Sequence, residues 1–144
     1  SSGFSFAGWV MWKSIPFWSR VFDIGVGKAS HNLVLSSKES TTTLYIDLRG
    51  NTNVFAQIQV PNFIELGKWV HISVVYNPTG QSKGLYLFKN GELIEENLSF
   101  TDTLNNTVSR NSSFIGKSTL NRGCTLCMGS LNLHILLSNS SKYG

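Results

Sequence analysis

Short segments in which apolar and polar residues alternate run the length of this chain, and a period of two is that of half-buried β-strands. The clearest is residues 67–76, where Val70, Ile72, Val74 and Tyr76 fall on one face. A polar turn follows, then residues 84–93, which carry Leu85 and Leu87 and include Asn90-Gly91. An Asn-Gly pair supplies the two positive-φ residues that a two-residue hairpin prefers, so a strand, a turn, a second strand and a hairpin are expected. Residues 42–49 alternate as cleanly, with Leu44, Ile46 and Leu48 against Tyr45, Asp47 and Arg49. Residues 54–60 set Val54, Ala56, Ile58 and Val60 against Phe55, Gln57 and Gln59. In residues 20–26 the inward set is Phe22, Ile24 and Val26, and Gly25 and Gly27 mark a bulge or tight bend.

Residues 4–12 are apolar on both faces, the pattern of a strand with neighbours on either side rather than of a solvated edge. Residues 31–37, 113–116 and 130–137 complete the strands, the last with Leu131, Leu133, Ile135 and Leu137 facing one way. No segment sustains a 3.6-residue apolar stripe. Short, regularly spaced strands divided by turn chemistry predict an all-β antiparallel sandwich. Phe22, Ile24, Leu44, Ile46, Ile58, Val74, Leu87 and Ile135 are expected to be largely buried in it.

Composition narrows the function more than the fold. The 144 residues suit one domain, expected over residues 4–138, with 1–3 a linker or tag and 139–144 a tail or linker. The net charge of +4 is scattered, without the clustering that nucleic-acid binding needs. No stretch approaches the roughly 18 to 20 apolar residues of a membrane span. Asn97, Asn105, Asn111 and Asn139 each open an Asn-x-Ser/Thr sequon. Their grouping around the polar connection at 99–111 makes an extracellular or cell-surface location the expectation, with glycan on at least one of them.

The order of several short motifs resembles laminin-G-like, concanavalin-A-like domains of the lectin/glucanase superfamily. Phe4-Ser5-Phe6-Ala7-Gly8-Trp9-Val10 resembles their opening strand, and Trp18-Ser19-Arg20-Val21-Phe22-Asp23-Ile24-Gly25 the segment after it. Trp69-Val70-His71 and the Asn90-Gly91 hairpin resemble their central hairpin. Phe114-Ile115-Gly116-Lys117-Ser118 and Gly129-Ser130-Leu131 resemble the late elements. The closing segment departs from the pattern, as does Leu120, where members often carry an aromatic residue. The resemblance implies a jelly-roll sandwich that binds rather than catalyses. It also implies a strand upstream of the opening one. None precedes residue 4, so a neighbour from the parent protein or a partner is expected to complete that edge, and the isolated chain is expected to self-associate.

Candidate chemistry is sparse. A glucanase needs two carboxylates flanking the scissile bond. In a regular strand Glu92 and Glu95 point to opposite faces, while Glu92 and Glu96 share one beside a hairpin turn. The distant His31, His71 and His134 show no nucleophile–base arrangement, so no catalytic residue is assigned. Many members of the family bind calcium, which makes Asp23 and Asp47 the candidate ligands. With Asp102 they are the chain's only aspartates, against the several carboxylates such a site uses. Cys124 and Cys127 lack a second ligand pair for zinc and could form a disulfide only across a turn. A ligand-binding strip is expected from Phe55, Gln57 and Gln59 on one strand face, with Trp18 in a connection after Pro16. The chain therefore reads as a non-catalytic recognition or adhesion module of a larger protein, meeting a protein partner or a glycan. The alternatives are a carbohydrate-binding lectin-type module and a structural docking domain in a large assembly.

Overall fold

A computed structural model describes residues 3–27, 30–51, 53–100, 102–104 and 109–116. These form strands and connections with no helix, so none is long and apolar enough to cross a membrane. The strands in chain order are β1 (Phe4–Val10), β2 (Arg20–Gly25), β3 (Leu33–Ser37), β4 (Leu44–Arg49), β5 (Val54–Val60), β6 (Val70–Asn77), β7 (Gly84–Lys89), β8 (Glu92–Asn97) and β9 (Ser112–Ile115). They make two antiparallel sheets, β1-β6-β7-β8 and β5-β4-β3-β2-β9.

The sheets pack face to face over one core. Phe6, Val10, Ile72, Val74, Leu85 and Leu87 come from the first sheet and Phe22, Leu35, Ile46, Leu48 and Ile58 from the second. Of the residues expected inside, Phe22, Leu44, Ile46, Ile58, Val74 and Leu87 are buried. Ile24 is only half-buried, because its neighbour on one side is the short strand β9, the end of its sheet among the described residues, whose Ser113 opposes it. Val26 lies past the end of β2 and is exposed. The expected strand at 130–137, with Ile135, lies outside the described residues, as do Cys124, Cys127, Asn105 and Asn139.

Three local devices set the details. Asn90 (φ 51°) and Gly91 (φ 88°) make the expected two-residue turn, and the Asn90 Oδ1 accepts the His71 N–H at 3.0 Å. The irregularity in β2 falls between Arg20 and Phe22, and the expected tight bend follows the strand at Gly27 (φ 106°), whose carbonyl accepts the Ser30 N–H at 3.1 Å. Gly25 serves a different purpose, since a Cβ there would stand 2.1 Å from the Oδ1 of buried Asn32. Finally, β1 stands at the end of its sheet among the described residues, with β6 as its described neighbour. Its two-sided apolar pattern resolves into Phe6 and Val10 buried in the core and Trp9 47% exposed on the outer face.

Candidate functional site

The outer face of the five-stranded sheet carries polar side chains from β2, β3, β4 and β5. The register aligns Asp23, Val34, Asp47 and Gln57 in one row across β2, β3, β4 and β5. Arg20, Ser36, Tyr45 and Gln59 form the next. Because strands stand about 4.8 Å apart, residues on adjacent strands of a row can touch.

A one-way chain of hydrogen bonds crosses this face. Lys38, in the turn between β3 and β4, donates Nζ to Gln59 Oε1 at 2.8 Å. Gln59 Nε2 donates to Gln57 Oε1 at 2.6 Å, and Gln57 Nε2 donates to the Tyr45 hydroxyl at 2.7 Å. The Tyr45 hydroxyl donates to Asp47 Oδ2 at 3.4 Å, which also accepts Arg49 Nε at 2.6 Å. An ammonium can only donate and an ionised carboxylate can only accept. The two ends therefore fix the orientation of both glutamine amides. Each amide keeps one N–H and one lone pair beyond those spent in the chain.

The acceptor end is the buried one. Tyr45 is 7% exposed and Asp47 2%. Burial pushes the Asp47 carboxyl above its ordinary pKa, outweighing the pull of the Arg49 guanidinium. Burial also raises the Tyr45 phenol, with the Asp47 charge adding to the effect. Asp47 Oδ1 and Ser36 Oγ, on neighbouring strands, are buried without a hydrogen-bond partner among the described residues. Trp18, held at φ 55° with its N–H on Glu39 O, lies edge-on over Tyr45 at 5.1 Å between ring centroids. Arg20 stacks on the Trp18 ring at 5.6 Å.

The donor end opens on a groove of about 390 Å³ where β5 and β8, the end strands of their sheets among the described residues, meet. Gln57, Gln59, Glu95, Glu96, Asn97 and Ser99 are among its lining residues. Asn97 ties the two strands together, its Nδ2 donating to Gln57 O at 3.0 Å. That sequon asparagine is half-buried, whereas Asn111 is exposed.

The expected strip is therefore brought together in part. Trp18, Gln57 and Gln59 gather around Tyr45, while Phe55 goes elsewhere. The β4–β5 ladder pairs Arg49 with Val54 and Leu48 with Ala56, leaving Phe55 as an extra, bulged residue. The Phe55 ring packs instead with Tyr76 and Phe100, at 6.4 and 6.2 Å between centroids, both of them core residues. The same bulge turns Val54 to the outer face, where it is exposed. Tyr45, Lys38 and the Asp47–Arg49 pair are the members that strand-by-strand reading left out. The alternation of β4 had placed Tyr45, Asp47 and Arg49 on this face, but only the register shows them meeting Gln57 and Gln59.

A second bulge, at Ile94, corrects the expected parity of the glutamates. Glu92 opposes Lys89 and Glu95 opposes Leu87, so these two share a face and Glu96, opposite Tyr86, takes the other. The two calcium candidates do not converge. Asp23 and Asp47 are separated by β3, two strand spacings or about 9.6 Å. Asp23 accepts Asn32 Nδ2 at 2.8 Å and lies 3.6 Å from Arg20, while Asp47 is held by Arg49. No group of three metal-ligating side chains occurs among the described residues.

Two packed antiparallel sheets, with a fixed polar ladder on one outer face, define a β-sandwich of the lectin type. The chain belongs to the laminin G group of the concanavalin A-like lectin/glucanases superfamily, whose family model matches residues 1–131. No curated protein matches it. Among solved structures it is similar to the CBM40 module of Ruminococcus gnavus IT-sialidase bound to α2,3-sialyllactose. There the TM-score is 0.68 at 12% identity, over 90% of this chain and 71% of the other. It is also similar to a second structure of the Ruminococcus gnavus IT-sialidase CBM40 module, with TM-score 0.66 at 13% identity, over 94% of this chain and 74% of the other.

Proposed function

We propose that this chain is a non-catalytic carbohydrate-binding module of the lectin type, serving recognition within a larger protein. The observation that carries the reading is the pair of glutamine amides fixed between Lys38 and the Tyr45–Asp47 end, beside an open groove. A saccharide hydroxyl donates one hydrogen bond and accepts others. An amide that offers one N–H and one lone pair in a set direction matches it, and no ordering cost remains to be met on binding. The half-buried Trp18 beside Tyr45 supplies an apolar ring edge next to these polar groups. Likeness to a sialidase's carbohydrate-binding module supports the same reading.

Glycan-array binding by the full chain, followed by calorimetry on Gln57→Ala and Gln59→Ala, tests it. Wild type should bind a defined set of glycans, and each substitution should weaken binding about tenfold, the size of one lost hydrogen bond to a positioned group. Absence of binding to any glycan, or binding indifferent to both substitutions, would overturn it.

A further inference from the structure

The charged residues that line the groove are both acidic, and they say which saccharides it takes. Lys38, which donates to Gln59 Oε1, is not among the lining residues. At the β8 end are Glu95 and Glu96, both exposed and both lining the groove. Among the described residues neither forms an ion pair, and the one hydrogen bond to either carboxylate is the weak one from Glu96 N to Glu95 Oε1 at 3.4 Å. The register leaves Glu95 on the face of β8 that Leu87 opposes and Glu96 on the other, so the two carboxylates flank the strand where it lines the groove. Asn97 holds this stretch of β8 against β5, so the carboxylates stay beside the amides rather than swinging away with a loose edge.

We infer that the groove ranks saccharides by charge, taking amino sugars first, neutral sugars next and acidic sugars last. The inference rests on the carbohydrate reading above. The amide ladder reads hydroxyls, which all three classes carry, so it sets affinity without setting charge preference. Two solvent-facing carboxylates then attract a protonated amine and repel a sugar carboxylate. Through water at about 6 to 8 Å each contributes a fraction of a kcal/mol, which for the pair amounts to about three- to tenfold per unit of ligand charge. The effect is screened by salt, because at about 1 M the Debye length is only about 3 Å.

The test is a glycan array spanning amino, neutral and acidic saccharides, followed by titration of the intact chain with β-linked glucose oligomers of equal length in which one sugar is glucosamine, none is replaced, or one is glucuronic acid. The titration is run where the amine is protonated. At low salt, affinity should fall in that order by about three- to tenfold per step, and the three should converge near 1 M salt. Glu95→Gln with Glu96→Gln should bring the three affinities together, with an unchanged denaturant midpoint showing that the fold is intact, since both side chains are exposed. Neutral glycans that bind without any charge order, or an order that survives the double substitution, would overturn the ranking and leave the carbohydrate reading standing. An array on which no glycan binds would bring down both.

Discussion

The two sheets turn different faces outward. The five-stranded sheet buries charged and polar side chains on its outer face, among them Arg20, Asp23, Asn32, Ser36 and Asp47. The four-stranded sheet carries Trp9 packed edge-on against His71, and Phe88 beside Leu93, on its outer face. There Trp9 is 47% exposed and Leu93 51%. The difference shows how each face can be specific. Buried polar groups must be paired with directed bonds, so the first face holds one arrangement and presents fixed donors and acceptors. The second meets solvent with ring and alkyl surface, which imposes no direction and costs little to leave exposed.

Four experiments can break or sharpen this contrast. The largest effect belongs to the core both sheets share. Leu87→Ala should cost about 2–5 kcal/mol in denaturant unfolding, because a fully buried side chain leaves a cavity. A loss below 1 kcal/mol would mean that the four-stranded sheet is not packed as described. Next comes the buried pair of the polar face. Arg49→Met should destabilise by about 1–3 kcal/mol by leaving the Asp47 carboxylate without its cation, and Arg49→Met with Asp47→Leu should recover most of the loss. Equal effects of the single and double variants would show the ion pair to be incidental.

A smaller effect separates the faces by ligand. Gln57→Ala should weaken saccharide binding about tenfold, whereas Trp9→Ala should leave it unchanged and move stability by no more than about 0.5 kcal/mol. The reverse pattern would put the ligand on the four-stranded sheet. The smallest effect is in pH. Burial raises the folded-state pKa of Asp47 above its unfolded value, so between the two the folded chain holds more protons than the unfolded one. Its contribution is therefore fully present below the unfolded carboxylate pKa and is lost as pH rises through the raised value. Urea midpoints across that acid window should fall with rising pH more steeply in the wild type than in Asp47→Asn. Identical slopes would show that Asp47 is not perturbed.

Most of the fold was legible because alternation reports burial directly. Leu44, Ile46 and Leu48, and Val70, Ile72 and Val74, are inward as their period of two requires. The site was legible only in pieces. Gln57 and Gln59 stood out as polar residues on an apolar strand, and Trp18 as an aromatic in a connection. That Tyr45 bridges them to Asp47 depends on which strands are neighbours, and pairing partners leave no mark in the residues of a single strand. Phe55 and the glutamates of β8 were misplaced for one reason. A bulge shifts the period by one residue, and both bulges occur where the sequence still alternates plausibly.

The extra residue at Phe55 also makes this strand sensitive to length. Deleting one residue between Arg49 and Ala56 would let the ladder zip without a bulge. Pairing would then be bought with the aromatic contact among Phe55, Tyr76 and Phe100, while the glutamines kept their register. An insertion at the same place would spare that cluster and lengthen only the connection ahead of β5. In a lineage of such domains, gaps at this position should therefore be almost all gains rather than losses, and a relative that has lost the residue should also have replaced the rings that Phe55 meets.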